Sequence, residues 1–150
     1  MGEAMASPDA GVANLRAGAT FLREAQRAPK LGVVGWCFGG GWSLQAALAL
    51  PERVDAAVMY YGRVVTDPAR LGALRAPLLG LFGADDRGIP VADVRQMESA
   101  LRGLGRDVTV QVYEGAGHAF ANPSGEGYRA AAADDAWRRT TAFFAQHLGR

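Results

Sequence analysis

The sequence has one cysteine, two histidines and no long apolar run, and each shortage excludes a class of protein. A single cysteine cannot form an internal disulfide or a four-thiolate metal site, so we expect no structural metal. The longest apolar stretches, such as residues 46–50, are far too short to span a membrane. A net charge of +1 with mixed signs argues against nucleic acid or a membrane surface as the main partner. A small molecule is the expected ligand.

The N-terminus also lacks a basic segment followed by an apolar run, which is the pattern of a secretory signal. We therefore expect a cytoplasmic protein. The composition, 49% hydrophobic and 21% charged, is typical of a globular protein with a substantial core. The sequence contains no internal repeat, low-complexity tract or interdomain linker, so it predicts one domain over residues 1–150.

Short apolar runs alternate with amphipathic segments along the chain. Predicted strands occupy residues 31–35, 54–60, 77–82 and 108–113, and predicted helices occupy residues 40–50, 91–104 and 128–148. A further helix is predicted to begin after Ser7, a favourable N-cap, with Pro8 at its first position. The second and third strands are apolar nearly throughout, as in parallel sheets covered on both faces. The pattern predicts an α/β fold, with a mostly parallel sheet, helices on both faces and right-handed crossovers.

Helical spacing also predicts which side chains the terminal helices bury. In the first helix, apolar residues recur on one face at Val12, Leu15, Ala19 and Leu22. In the last helix, the large apolar residues predicted to be buried are Trp137, Phe143 and Phe144.

Cys37 follows the first predicted strand in the run Gly35-Trp36-Cys37-Phe38-Gly39, which has the G-x-nucleophile-x-G form of a sharp strand-to-helix elbow. Side chains two residues before and after the nucleophile are expected to collide in such a turn, which favours glycine there. The helix that follows directs its N-terminus at the sulfur and favours a thiolate. The N–H of Phe38 is the predicted oxyanion donor.

An acid and a base follow the third and fourth strands. Asp86 lies in the loop 83–90 and His118 in the loop 115–120, and the carboxyl ends of parallel strands meet at one edge of a sheet. The chain order of nucleophile, acid and base is that of α/β-hydrolases. We predict that His118 assists formation of the Cys37 thiolate, while Asp86 fixes the tautomer of the ring and stabilises the imidazolium.

Each of these residues has a simpler interpretation. Cys37 could be a small core hydrophobe, because free cysteine is among the most buried residue types. His118 could be a loop histidine that bonds the backbone, and Asp85 or Asp86 could serve only as a turn former. Residues 39–41 do not form a phosphate cradle, since neither a Lys-Ser/Thr pair nor a G-x-G-x-x-G pattern accompanies them. We therefore predict no nucleotide cofactor, and none of another kind.

Four motifs together resemble the dienelactone hydrolase family. They are the run 35–41, Tyr60-Tyr61-Gly62 after the second strand, the acid loop 83–90 and the base loop 116–120. The resemblance covers about residues 10–148. It implies an α/β-hydrolase fold, of which this chain has the C-terminal, nucleophile-containing portion. It also implies cleavage of a lactone or other carboxylic ester through a cysteine thioester, an activity of the carboxymethylenebutenolidase type. Measured from Pro90, Asp86 rather than Asp85 matches the family's acid.

The sequence departs from the family pattern in two ways. The family's domain extends further at the N-terminus, and that part would supply early strands, a second oxyanion N–H and a glutamate near the cysteine. The first predicted strand is thereby left without a neighbour on one side, and an exposed apolar edge invites pairing with a second copy or a partner chain. Beside the base, Ala119 and Asn122 stand where the type enzyme has a serine and a carboxylate-binding arginine, so the resemblance implies the reaction class and not the identity of the substrate.

Five further residues are predicted to line the substrate pocket: Trp36, Tyr60, Tyr61, Phe120 and Asn122. The two tyrosines could equally be ordinary aromatics at the end of a strand. The alternative to the enzyme hypothesis is a non-catalytic α/β module, N-terminally short, that oligomerises or binds a partner through its open sheet edge.

Overall fold

The computed structural model describes residues 8–149, so the predicted N-cap Ser7 lies outside the described residues. The helices are α1 (Pro8–Thr20), α2 (Phe38–Ala49), α3 (Pro68–Leu71), α4 (Val91–Gly103) and α5 (Ala130–Leu148), and a π-helical turn (Phe21–Ala25) extends α1. The strands are β1 (Gly32–Trp36), β2 (Ala56–Tyr60), β3 (Leu78–Gly83) and β4 (Val108–Tyr113). Strands and helices alternate as predicted from the sequence.

The four strands form one sheet in the order β1-β2-β3-β4, and all neighbouring pairs are parallel. With right-handed crossovers, such a sequential order carries every connecting helix to the same face of the sheet. The last helix, which returns after β4, is then free to cover the other face. The predicted α/β class is confirmed, and the register aligns the ends of β1 and β2 by pairing Trp36 with Tyr60.

Alternate residues of the strands contribute to two apolar cores, one on each face of the sheet. On one face, Ala57 and Met59 of β2 pack with residues of α1, α2 and α4. On the other face, Val58 and Tyr60 pack with residues of α5 and of the loop after β4. Helices therefore lie on both faces, as predicted, and β2 and β3 are buried throughout.

The observed helices differ from the predicted ones in the presence of α3 and in where α2 begins. The α3 turn was not predicted; it begins because the side chain of Asp67 accepts the N–H of Ala69, with Pro68 at the first helical position. The α2 helix begins at Phe38, directly after Cys37, instead of at residue 40. The Cys37 side chain is thus closer to the helix N-terminus than the sequence predicted.

Two apolar residues predicted to be buried are exposed, and both predictions are wrong for the same reason. Leu22 lies in the π-helical turn at the rim of a groove beside β1, and 43% of it is exposed. Trp137 precedes Phe144 by seven residues and so shares its helix flank, which is the flank nearest Gly32 of β1. Because no described strand lies beyond β1, neither side chain is covered. Phe143 and Phe144 do pack against the core.

Within residues 8–149, no helix is both long enough and apolar enough to cross a membrane.

Candidate active site

A strained elbow joins β1 to α2 and presents the thiol of Cys37 to solvent. The backbone of Cys37 has φ 56° and ψ −118°, a conformation that costs a non-glycine residue about 1–3 kcal/mol. Its N–H donates to the carbonyl of Tyr60, which extends the β1–β2 ladder one residue into the elbow. The exposure of this thiol rules out the interpretation of Cys37 as a core hydrophobe.

Glycine is needed at this elbow, although not at both predicted positions. A Cβ on Gly35 would lie 2.1 Å from the carbonyl oxygen of Gly39, so only glycine fits there. A Cβ on Gly39 would meet no heavy atom within 4 Å, so the predicted collision at that position is wrong. The second close approach is at Gly40 instead, where a Cβ would lie 2.4 Å from the carbonyl oxygen of Tyr60. The chain is thus crowded between α2 and the end of β2.

The structure brings the three predicted triad residues together at the carboxyl ends of the strands. Nε2 of His118 lies 3.0 Å from Sγ of Cys37, and Nδ1 of His118 lies 2.7 Å from Oδ2 of Asp86. A continuous hydrogen-bonded chain therefore runs from thiol to imidazole to carboxylate.

Both oxygens of the Asp86 carboxylate are used. While Oδ2 faces the imidazole, Oδ1 accepts the backbone N–H groups of Gly88 and Ile89 at 2.8 and 3.1 Å. The side chain is only 1% exposed, and these contacts satisfy a buried charge that would otherwise be costly. Asp86 therefore both forms the turn and contacts the base, whereas Asp85 is exposed.

The surroundings of His118 shift its protonation in a defined direction. Burial lowers the pKa of the imidazole, but hydrogen bonds to Cys37 and Asp86 and the charges of both groups together raise the pKa above its ordinary value of 6.5. The imidazolium form is therefore favoured by the two groups that it contacts. His118 is more than a backbone-bonded loop histidine.

Of the predicted pocket residues, Tyr61 packs against His118 and Phe120 packs against Tyr61. The ring of Tyr61 lies edge-on to the His118 ring, with centroids 5.3 Å apart, and also contacts Phe120 at 5.2 Å. Both Tyr61 and Phe120 are buried. Tyr61 therefore supports the imidazole from the protein side, and Phe120 supports the ring of Tyr61.

The other predicted pocket residues lie elsewhere around the site. Trp36 stacks on Tyr60 at 5.1 Å, and the hydroxyl of Tyr60 is paired with Thr140 of α5 in the core. Asn122 is exposed and accepts the N–H of Ser124. Nothing in these contacts brings the side chains of Tyr60 or Asn122 against the Cys37 thiol.

Phe38 lies between the elbow and two cavities. Its N–H is at the first position of α2, where N–H groups have no partner within the helix. Its ring lines an apolar groove of about 460 Å³ between α1, β1 and α2, and a cavity of about 520 Å³ that also contains Arg63 and Arg70. Among residues 8–149, no group of three or more His, Cys, Asp or Glu side chains could hold a metal ion.

Sequence reasoning missed the close backbone packing that brings these loops together. A Cβ on Gly62 would lie 2.3 Å from the carbonyl carbon of Gly40, and one on Gly83 would lie 2.3 Å from the carbonyl oxygen of Ala116. Gly62 lies two residues after β2 and Gly83 ends β3, and this position at a strand end was the available signal. They allow the elbow, the end of β2 and the base loop to approach one another.

A parallel α/β sheet whose strand ends bring Cys37, Asp86 and His118 together, in that chain order, is the arrangement of the α/β-hydrolase class of fold. Comparison with known proteins narrows the class. The chain belongs to the dienelactone hydrolase family, whose sequence pattern it matches over residues 2–148.

Individual relatives agree with this assignment. The chain is 38% identical to a "Putative carboxymethylenebutenolidase" of Methylorubrum extorquens, over 93% of this chain and 52% of the relative. The crystal structure of a "Putative Dienelactone Hydrolase" from Klebsiella pneumoniae matches with a TM-score of 0.82 and 34% identity, over 90% of this chain and 60% of that one. The dienelactone hydrolase from Anabaena variabilis matches with a TM-score of 0.71 and 26% identity, over 91% and 59%. The chain spans about half the length of the curated relatives that it matches.

Proposed function

We propose that this chain contributes the nucleophile, acid and base of a hydrolase that cleaves a lactone or another carboxylic ester through a thioester on Cys37. The observation that carries the proposal is the unbroken contact from the Cys37 thiol through His118 to the buried Asp86. Family membership supports the reaction class, and the relatives named above suggest the substrate class.

Acylation would begin with proton transfer from the thiol to Nε2 of His118. For this step Nδ1 must carry a proton, and the Asp86 carboxylate favours that tautomer by accepting it. The thiolate attacks the carbonyl carbon, and the N–H of Phe38 is the proposed donor to the resulting oxyanion. The tetrahedral intermediate then collapses, the C–O bond of the ester breaks, and the imidazolium returns its proton to the leaving alkoxide.

Deacylation would repeat the same steps with water. His118 removes a proton from a water molecule, and the hydroxide attacks the thioester carbon. The C–S bond breaks and the thiol is regenerated by the imidazolium. The products are a carboxylic acid and an alcohol, which remain joined in one molecule when the substrate is a lactone.

The chain's single cysteine makes the mechanism directly testable. Iodoacetamide should alkylate Cys37 faster than a free-thiol control and abolish hydrolysis of a model aryl ester or an unsaturated butenolide. Cys37→Ala should remove both alkylation and turnover, and His118→Gln should slow both. His147→Gln is the matched control because it replaces the other histidine, in the last turn of α5, and should leave both rates unchanged.

The outcomes separate the proposal from its rivals. Full activity of Cys37→Ala would overturn the cysteine mechanism, while selective alkylation without ester cleavage would show an activated thiol that lacks an ester substrate.

A second candidate function is a binding module that acts through the edge of β1. The observation that favours it is the open edge itself, since β1 is paired only with β2 among the described strands and exposes Val34 and Trp36. Sedimentation combined with the model-ester assay distinguishes the two functions. A folded, well-behaved species without turnover supports the binding module, and turnover by the folded chain excludes a non-catalytic role.

A further inference from the structure

Three residues of the candidate site have left-handed backbone angles, although none is glycine. They are Cys37 at φ 56°, Tyr61 at φ 35° and Ala119 at φ 59°, and they directly follow β1, β2 and His118 respectively. Residues other than glycine rarely adopt such φ angles, which persist only where surrounding contacts enforce them. The strain at Cys37 is explained by the elbow. The strain at Tyr61 and Ala119 requires a different explanation.

Tyr61 is held firmly at the point where β2 ends. Its backbone N–H donates to the carbonyl of Leu81 at 2.8 Å, which extends the β2–β3 ladder one residue beyond the strand. The preceding carbonyl, of Tyr60, accepts the N–H of Cys37. The backbone of Tyr61 is therefore fixed relative to the nucleophile, and its left-handed angle directs the side chain to the base loop.

The side chain of Tyr61 contacts the base loop on both sides of strained Ala119. Its ring meets the imidazole of His118 edge-on at 5.3 Å, and Phe120 supports the same ring at 5.2 Å. The backbone of Ala121 lies near enough to the phenol to lower its pKa, against the larger effect of burial. A single side chain thus joins the residue before Ala119 to the two residues after it.

Burial, and after it the charge of Cys37, raise the pKa of Tyr61 to about 12. The phenol consequently remains neutral across the pH range in which the thiol and the imidazole would react. It adds no charge that would compete with Cys37 or Asp86 for His118.

We propose that Tyr61 is a positioning residue, which holds the His118 imidazole at hydrogen-bond distance from Cys37 by anchoring residues 118–121 to the end of β2. The inference rests on the proposed function, because it gives Tyr61 a role in the same site. It differs from the sequence-based expectation, in which Tyr61 lines the pocket and contacts substrate. A positioning residue affects the base and leaves substrate affinity unchanged.

The test uses two substitutions in the full chain. Tyr61→Leu removes the aromatic contact with His118 and the phenol, while Tyr61→Phe keeps the ring and removes only the hydroxyl near the backbone of Ala121. We expect kcat for a model ester to fall about 10- to 100-fold in Tyr61→Leu, since small misplacements of a catalytic group have effects of this size. In Tyr61→Phe kcat should fall less, and KM should stay within about twofold of the wild-type value in both variants. Tyr113→Phe is the control, because it removes another partly buried phenol, which packs on Phe120 and donates to Asp135.

A second readout does not require turnover. The chain has only two histidines, so the proton resonances of His118 can be assigned with His147→Gln and titrated by nuclear magnetic resonance. Wild-type His118 should titrate above 6.5. The midpoint should move down towards 6.5 in Tyr61→Leu, and by a smaller amount in Tyr61→Phe, because misplacement weakens the bonds to Cys37 and Asp86. Tyr113→Phe should not move it.

The readouts separate the inference from a structural role and from the proposed function. Loss of stability with an unchanged His118 midpoint and unchanged kcat in Tyr61→Leu overturns the inference, as does a rise in KM alone. If Tyr61→Leu does not fold, Tyr61→Phe decides by the same criteria, and an unaltered midpoint in that variant overturns it. If wild type cleaves no ester, the proposed function fails, but the titration still tests the positioning of His118.

Discussion

The three triad residues of the candidate site differ in solvent exposure, and the differences agree with their proposed roles. The carboxylate of Asp86 is buried with all of its contacts made, while the side chain of His118 is 42% exposed and Cys37 faces solvent. A fixed acid below a partly accessible base suits a site in which the imidazole must exchange protons with substrate and water. Asp86 should therefore act by orientation.

Replacement of Asp86 by asparagine tests that orientation. The amide has nearly the same shape, but its N–H₂ group would favour the tautomer with the proton on Nε2, which cannot accept from the thiol. We expect kcat for the model ester to fall on the order of 10³- to 10⁴-fold. Asp85→Asn is the matched control, because Asp85 is the exposed neighbour and should stay within about twofold. Equal losses in both variants would contradict the assignment of Asp86.

The raised pKa of His118 predicts how the contribution of this residue to stability depends on pH. Because the folded-state pKa lies above the unfolded value of about 6.5, folding favours the protonated ring. The resulting stabilisation is fully present below pH 6.5 and declines as pH rises through the raised pKa. In urea unfolding, the difference in free energy between wild type and His118→Gln should therefore be larger at pH 5.5 than at pH 8.5. A difference that grows with pH would contradict the shift.

At the scale of elements, the close packing of β1 against α2 makes the elbow intolerant of one methyl group and tolerant of another. Gly35→Ala would place a Cβ 2.1 Å from the carbonyl oxygen of Gly39, so the helix must move away from the strand. We expect a loss of about 2–3 kcal/mol in the free energy of unfolding and a large loss of Cys37 reactivity towards iodoacetamide.

Gly39→Ala supplies the control at the same elbow. The added Cβ has no neighbour within 4 Å and lies in the first turn of α2, where alanine is favoured over glycine by about 0.5–1 kcal/mol. This variant should be as stable as wild type or more so. Equal destabilisation of the two variants in thermal unfolding would contradict the steric argument.

The sequence predicted elements well where apolar periodicity alone determines them. The bounds of β4 were predicted to the residue, and β2 and β3 were predicted within two residues, because buried parallel strands are continuous apolar runs. The α3 turn was missed, since one side-chain hydrogen bond from Asp67 starts it. The prediction that Leu22 and Trp137 are buried was wrong, because periodicity identifies the apolar face of a helix but not whether another element covers that face.

For the candidate site, the sequence predicted which residues meet and the order in which the chain presents them. The glycine pattern located Cys37, and the parallel topology brought Asp86 and His118 to the same edge. The contact between Tyr61 and His118 could not be predicted, because it depends on a left-handed angle at a tyrosine, which no sequence pattern favours.

At the scale of the whole molecule, the two edges of the sheet differ, because apolar side chains are exposed around β1. The sheet ends at this strand among the described residues, and five apolar side chains around it are exposed. We call them the β1 surface: Leu22, Val34, Trp36, Phe38 and Trp137. An open edge strand bordered by apolar side chains presents unpaired backbone groups that can bind another strand. The opposite edge, β4, carries the exposed polar Thr109.

This asymmetry predicts association through one edge of the sheet only. If the chain self-associates, a lysine at Val34 should oppose it, because a charge on an edge strand must be desolvated when another strand approaches. In sedimentation velocity, we expect wild type to form larger species as its concentration rises and Val34→Lys to remain a monomer at the same concentrations. Thr109→Lys places the same charge on the opposite edge and should behave as wild type. Monomeric wild type across the range, or equal effects of the two lysines, would show that the β1 surface does not mediate self-association.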